Sequence, residues 1–427
     1  YEFSTKSVAY KKLLDYLSDE NTSTMLDTVP VVSNLFYALK GLNVCNETSI
    51  KPILPKINRI TAPQEFFFPN KTTSISQLEA YFTCPFKFFA NYGLKIRERE
   101  ESLLKSIDFG NILHKIAELY VKNIDKFLSE QNLVLRKRKI ENLINMVFDA
   151  EKLAIAKNKH IIASLKSEAK RLVDALTYQY SVCNFKPKYE EFMFGEKGKV
   201  KGLDLGNGIK LEGKVDRVDT FKDTFRVIDY KTGKIDLQAK NVYYGNKIQL
   251  FMYLNALKTK KFKPVGAFYL PIKNVFIEED LGTFLSTYKL QGYFEDDTNL
   301  AKNMDIQLNA NNLSSNCLVA TLKPDKTIKE TDNLVLKKQN HILSEEEFNG
   351  VLEYCVELSK IAVKEILSGY IEKSPTKSAD KPACEHCEYK NCCGNSASQV
   401  VPRTVKSVAF SEFAYFKENS NGTKTKK

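Results

Sequence analysis

Leu211-Glu-Gly-Lys-Val-Asp-Arg-Val-Asp219, a polar break at Lys222-Asp223, and then Phe225-Arg-Val-Ile-Asp-Tyr-Lys231 read as two β-strands joined by a two-residue hairpin. In that register Asp216 lies opposite Asp229. Side chains alternate along a strand, so Asp229 and Lys231 share one face and Asp216 joins them across the ladder. A slip of one residue would scatter the three, which makes the register itself an expectation.

Two carboxylates and an amine gathered in this way suit attack on a phosphodiester. The anionic oxygens of such a diester repel a nucleophile, and a divalent ion held by carboxylates screens them, generates hydroxide and stabilises the leaving oxygen. Oxygen ligands favour Mg²⁺ or Mn²⁺, and an imidazole in the set tilts the balance toward Mn²⁺. One of only four histidines, His114, lies upstream in Ile112-Leu-His-Lys-Ile-Ala-Glu-Leu-Tyr120, which has amphipathic helical spacing. Lys231 beside the attacking water would orient it and ease its deprotonation. Arg217 has two readings, a contact to phosphate or a pair with a carboxylate, and Glu118, one turn beyond His114, reads as helix solvation.

A second constellation is made of sulfur. Cys384-x-x-Cys387 and Cys393 lie close together, and Cys84 stands apart in Tyr81-Phe-Thr-Cys-Pro-Phe-Lys-Phe-Phe89. Such a set suits an iron–sulfur cluster or Zn²⁺. With Cys84 as the distant member, the metal would close the stretch between residues 84 and 384 into one loop and staple its ends. Cys45, Cys183, Cys317 and Cys355 lack ligand spacing and read as small buried hydrophobes.

Taken in order, Ser76-Gln-Leu-Glu-Ala-Tyr-Phe-Thr-Cys-Pro-Phe-Lys-Phe-Phe-Ala-Asn-Tyr-Gly-Leu94, Phe109-Gly-Asn-Ile-Leu-His114, Glu212-Gly-Lys-Val-Asp-Arg-Val-Asp219, Ile228-Asp-Tyr-Lys-Thr-Gly233, Gln249-Leu-Phe-Met-Tyr253 and the cysteine trio resemble the RecB-like branch of the PD-(D/E)XK nucleases. With the cysteines included, the set is similar to AddB-type C-terminal nuclease regions of bacterial AddAB helicase–nucleases, over residues 74 to 396. The resemblance implies an α/β fold with a restriction-endonuclease-like core. That core is a mixed sheet flanked by helices in the order αβββαβ, with a helical N-terminal extension and an iron–sulfur staple.

It further implies that Asp216, Asp229, His114 and the backbone carbonyl of Tyr230 bind Mg²⁺ or Mn²⁺, and that Lys231 serves the nucleophilic water. Gln249 and Tyr253 would contact the site or the DNA, and Glu191 would be an auxiliary acid. Cys84, Cys384, Cys387 and Cys393 would hold a structural 4Fe-4S cluster, the family spacing favouring Cys393 over its neighbour Cys392. The activity implied is metal-dependent hydrolysis of single-stranded DNA in double-strand-break repair and recombination, beside an AddA-like helicase–nuclease subunit in the bacterial cytoplasm. Two alternatives are a catalytically silent DNA-binding scaffold that retains the fold, and a zinc-knuckle nucleic-acid-binding protein.

Composition agrees. The 427 residues, 43% hydrophobic, support two or three core-bearing units, and a formal charge of +12 suits a polyanionic partner. Nine cysteines at uneven spacing argue for a reducing compartment. No apolar run approaches membrane-spanning length. Gly195-Glu-Lys-Gly-Lys-Val200 fails the phosphate-loop spacing, so any ATP-driven motor is expected on a partner.

The expected organisation is an N-terminal extension over 1–73, which the resemblance implies is the trailing part of a helicase-like region, with a helical pattern at Tyr10 to Leu17. A nuclease domain follows over 74–396, containing an insertion at 275–340, and then a segment over 397–427 with a lysine-rich tail from Glu418. Strands are expected at Glu191 to Leu205, with a type I′ hairpin at Asn207-Gly208, and at Val265 to Leu270; a long helix is expected from Glu345 to Ser368. A first residue other than Met suggests a fragment or a processed chain.

Overall fold

The computed structural model describes residues 59–97, 106–150, 159–259, 261–272, 285–324, 334–378, 381–385, 387–390, 393 and 402–414. The expectations for Tyr10 to Leu17, Cys45, Cys392 and the tail from Glu418 lie outside these residues.

A mixed six-stranded sheet organises the chain. Its strands are β1 (Lys186–Phe194), β2 (Gly213–Phe221), β3 (Thr224–Lys231), β4 (Lys263–Pro271), β5 (Gln291–Glu295) and β6 (Ile342–Leu343). They lie side by side in the order β6-β5-β4-β3-β2-β1. The β2–β3 hairpin pairs from Phe221↔Thr224 to Arg217↔Ile228, so the two-residue turn is Lys222-Asp223 as expected, with Lys222 in the left-handed region at φ 53°. The next step of that register sets Asp216 against Asp229.

β3 and β4 run parallel, and a parallel neighbour needs a crossover, which here carries a helix. The flanking helices are α1 (Ile75–Thr83), α2 (Ser106–Lys122), α3 (Leu133–Ala150), α4 (Lys159–Ser181), α5 (Gln249–Leu257) in that crossover, and α6 (Glu345–Leu367). Phe225 and Val227 of β3 pack into a core shared with Leu78 of α1, Phe251 of α5 and Val351 of α6. Ile228 and Tyr230 point the other way, into a core shared with Ile116 of α2, Ile144 of α3 and Leu172 of α4. β3 is therefore covered on both faces, which explains its nearly continuous burial.

Local chemistry sets the helix ends. Ser74 and Gln77 form a reciprocal capping box at the start of α1, and Ser344 and Glu347 do the same for α6. Cys84 ends α1 in an extended conformation, because a residue that precedes proline disfavours the helical region.

Three expectations are revised in detail. The strand expected from Glu191 to Leu205 is Lys186–Phe194, and the chain turns at Gly195. A Cβ on Gly198 would lie 2.4 Å from the Met193 carbonyl oxygen, so that turn closes only with glycine there. Asn207 and Gly208 do have positive φ, but Gly206 has it too, and Leu205 bonds Ile209 around a three-residue loop in a separate small sheet with Thr72–Thr73. Within 275–340, residues 291–295 form β5 of the main sheet.

Beneath the sheet's second face, Asp219 is fully buried and accepts hydrogen bonds from Arg217 at 2.6 and 2.9 Å and from Arg226 at 3.0 and 2.8 Å. Of the two readings of Arg217, the structure selects the carboxylate pair. Asp219→Ala would leave two buried guanidinium groups without their anion and is expected to cost about 3–5 kcal/mol. Denaturant unfolding of the two proteins measures it.

Candidate active site

Four sequence-marked side chains stand as two pairs where β2 and β3 cease to pair. The Asp216 Oδ2 accepts the backbone N–H of Tyr230 at 2.9 Å and lies 3.4 Å from His114 Nδ1. His114 reaches it because α2 passes close to the end of β3. A Cβ on Gly110 would come within 3.1 Å of the Thr232 methyl, so glycine permits that approach. The imidazole also packs edge-on against the Tyr230 ring, with centroids 5.5 Å apart.

Asp229, 5% exposed, is held from the opposite core. Its Oδ1 accepts a hydrogen bond from Gln249 Nε2 at 3.0 Å, and that same amide lies 3.0 Å from the Tyr253 hydroxyl. The Lys231 Nζ stands 3.7 Å from Asp229 Oδ2 and 5.3 Å from the centre of the Tyr269 ring. Asp229 and Lys231 therefore meet as alternation requires, and the Gln249/Tyr253 pair on α5 closes over them.

Sequence reasoning missed Glu79. Its Oε1 accepts the backbone N–H groups of Ile248 and Gln249 at 2.9 and 3.1 Å, so a carboxylate from α1 caps the N-terminus of α5 and places Gln249. It stood in plain view in Ser76-Gln-Leu-Glu79, but nothing in its spacing links it to position 248.

Glu191 falls between the pairs Glu190↔Arg217 and Phe192↔Val215, hence across the ladder from Asp216. Its backbone is left-handed at φ 51°, and its side chain pairs with Lys214. Its neighbour Glu190, also missed, has both carboxylate oxygens buried without a hydrogen-bond partner, and burial pushes its pKa up to about 9.

Electrostatically the site is short of positive charge. Burial, and then the Asp216 carboxylate, push the Asp229 pKa up to about 7. Burial also raises Asp216, against the pull of His114 and the Tyr230 N–H. Among the described residues no three His, Cys, Asp or Glu side chains stand close enough to form a ready-made metal cage; they approach in pairs. The donor chemistry nevertheless fits a hard divalent ion, since desolvation disfavours the ionised form of both Asp216 and Asp229, and Asp216 adds to the rise at Asp229, so these are the groups a cation would relieve.

Among the described residues the sulfur set is gathered around one pocket without closing to a metal cage. Cys84, Cys384, Cys387 and Cys393 line one pocket with Tyr389. Burial and the other three thiols push the Cys393 pKa up to about 11, with Lys373 opposing. Cys183, Cys317 and Cys355 are buried elsewhere, in apolar surroundings.

The family model described as the PD-(D/E)XK nuclease superfamily matches residues 72–394. The chain belongs to the PD-(D/E)XK nuclease superfamily. It is similar to the B subunit of the ATP-dependent helicase/deoxyribonuclease of Clostridium kluyveri, 28% identical over 79% of this chain and 31% of that protein. The protein of the same name from Alkaliphilus metalliredigens is 30% identical over 75% of this chain and 30% of its own length. That of Clostridioides difficile is 27% identical over 88% and 33%. The chain thus spans about a third of the length of the curated relatives it matches. As a member of this superfamily it shares an α/β fold whose enzymes use divalent metal ions. Among the described residues no helix is long and apolar enough to cross a membrane.

The raised Asp229 pKa has a consequence for stability. Below about pH 4 the carboxyl is protonated whether the chain is folded or not, and its contribution is fully present. As pH rises toward the folded value of about 7 that contribution is lost, because the unfolded chain ionises freely and the native site resists. In EDTA the urea midpoint of the wild type is expected to fall between about pH 4 and 7, and that of Asp229→Asn to fall less. Mn²⁺ added at about pH 8 should restore the wild-type midpoint and leave that of the variant nearly unchanged.

Proposed function

We propose that this chain is the nuclease module of an AddAB-like helicase–nuclease, hydrolysing phosphodiester bonds of single-stranded DNA during double-strand-break repair and recombination. One observation carries the reading: two carboxylates, the half-buried Asp216 and the buried Asp229, bracket the end of the hairpin with His114 on one side and Lys231 on the other. Asp216, Asp229, His114 and the Tyr230 carbonyl would hold Mg²⁺ or Mn²⁺, which when bound screens the phosphate and acidifies water. Gln249 fixes the Asp229 carboxylate by taking its Oδ1, which leaves Oδ2 turned toward Lys231. Lys231, about a third exposed, donates to the incoming water and compensates the charge that develops at phosphorus. Glu191 is auxiliary, its pairing with Lys214 setting the charge beside Asp216.

Cys84, Cys384, Cys387 and Cys393 would hold a structural 4Fe-4S cluster, joining the end of α1 to the segment after α6. The limits proposed for the nuclease unit are 74–396, although Phe67 and Phe68 before it and Phe410 and Phe413 after it pack into the same core as Leu78, Phe251 and Val351. The named function of the relatives supports an AddA-like partner that feeds a strand to the site, and the net charge of +12 suits that strand. The place of action would be the bacterial cytoplasm.

Cleavage of labelled single-stranded DNA with Mg²⁺ tests the site. Asp229→Ala and Lys231→Ala are each expected to slow it by at least about 100-fold, the scale on which removing one electrostatic stabiliser of a transition state acts. Equal cleavage by all three proteins would refute the assignment. A silent scaffold would bind the strand without cutting it.

For the sulfur site, anaerobically purified protein is expected to be brown, with broad visible absorption bleached by dithionite. Colourless protein carrying zinc would overturn the cluster in favour of a zinc knuckle.

A further inference from the structure

A cavity of about 410 Å³ is walled by the short helix Pro63–Phe67, the start of α1, the π-helical turn Phe89–Gly93 and the run to Arg97. It lies within the range of roughly 300–1,000 Å³ typical of small-ligand pockets. Its lining divides into three kinds of chemistry. Phe66 and Tyr92 offer half-buried aromatic faces, each braced from behind: Phe66 by Phe89 at 6.0 Å between centroids, Tyr92 by Phe88 at 5.6 Å. Lys95 and Arg97 are exposed cations, and neither enters an ion pair among the described residues. Gln77 and Glu212 supply polar edges. The Gln77 carbonyl oxygen is occupied by the Ser74 N–H and the Thr73 hydroxyl, which leaves its NH₂ to donate to an occupant.

The backbone also spends strain here. Lys95 sits at φ 54°, a left-handed conformation rare for a residue with a side chain and typical of places where function positions a group. Arg97 is tied back to Asn91 through both the Asn91 side chain and its backbone carbonyl, so the guanidinium is held at the cavity. The cavity shares two elements with the catalytic site. α1 carries both Gln77 and Glu79, and the run into β2 carries both Glu212 and Asp216.

We propose that this cavity is a nucleotide subsite for the single strand. A base would stack against Tyr92 and Phe66 with its edge toward Gln77 and Glu212, and its backbone phosphate would lie toward Lys95 and Arg97. Aromatic faces accept any base, and paired cations track the backbone, which is the chemistry of single-strand grip. The Glu212 carboxylate repels phosphate and so orients the nucleotide with its base inward. The inference rests on the nuclease reading above and adds to it a binding element outside the metal ligands.

The test uses the whole chain in EDTA, where no cleavage occurs, with a single-stranded oligonucleotide carrying 5-iododeoxyuridine. Irradiation is expected to crosslink Tyr92 or Phe66. Tyr92→Leu is expected to weaken strand binding by about 5- to 100-fold. The double variant Lys95→Gln/Arg97→Gln should lower the slope of log affinity against log salt by about 0.7 for each phosphate that is no longer neutralised. Unchanged thermal unfolding of the double variant shows that the fold is intact.

Strand binding and Mg²⁺-dependent cleavage by the wild type, with crosslinks only elsewhere and unchanged affinity in both variants, would overturn the subsite and leave the nuclease reading standing. A wild type that neither binds nor cuts would overturn both. Occupancy by free deoxynucleoside monophosphate alone, without a crosslink to the oligonucleotide, would overturn the strand assignment.

Discussion

Two carboxylates are kept in each other's field by the pairing of β2 with β3, and much of the molecule is arranged around that confinement. Pairing is regular from the Lys222-Asp223 turn to Arg217↔Ile228. One step further, the Tyr230 N–H bonds the Asp216 side chain. A backbone donor is thus spent on the Asp216 carboxylate, and the opposing Asp229 is left to α5. Burial raises both acids, so the hairpin stores unfavourable charge that a bound cation would release.

Each group around those carboxylates is placed by a different element, and each placement has its own local cause. His114 depends on Gly110, which lets α2 approach Thr232. Gln249 depends on Glu79, which caps α5 from a helix distant in sequence. Lys231 is simply two positions along the strand from Asp229. The second core anchors the far side through the Arg217–Asp219–Arg226 cluster, a buried set whose polar atoms satisfy one another apart from the Arg226 Nη1. This division lets one face of β3 be packed rigidly while its end remains open.

The sulfur pocket extends the same logic to the chain's long-range order. α1 ends at Cys84, and the other three cysteines follow α6, so the pocket joins the helix that holds Glu79 to the segment that closes the fold. Tyr389 lines that pocket and donates its hydroxyl hydrogen to the Ile96 carbonyl at 3.2 Å, between Lys95 and Arg97.

Much of this was readable from residues alone. The hairpin, its register, the shared face of Asp229 and Lys231, and the apolar run of β4 follow from period and spacing, because alternation and turn length are local properties, whereas the crossover helix with Gln249 came from the family resemblance. The ends of β1 and the three-residue loop at Gly206 to Gly208 were not, since neighbouring glycines allow several turns and packing chooses among them. Glu79 and Glu190 escaped for a related reason. A carboxylate's role depends on what lies across the fold from it, and no spacing along the chain encodes the meeting of Glu79 with the α5 N-terminus. The amino-acid order by itself determined which residues carry chemistry and which face of a strand or helix they occupy. Only the tertiary structure decided which of them touch, how deeply Asp229 is buried, and that Arg217 spends its charge on Asp219, because contact and desolvation belong to packed surfaces and not to sequence neighbours.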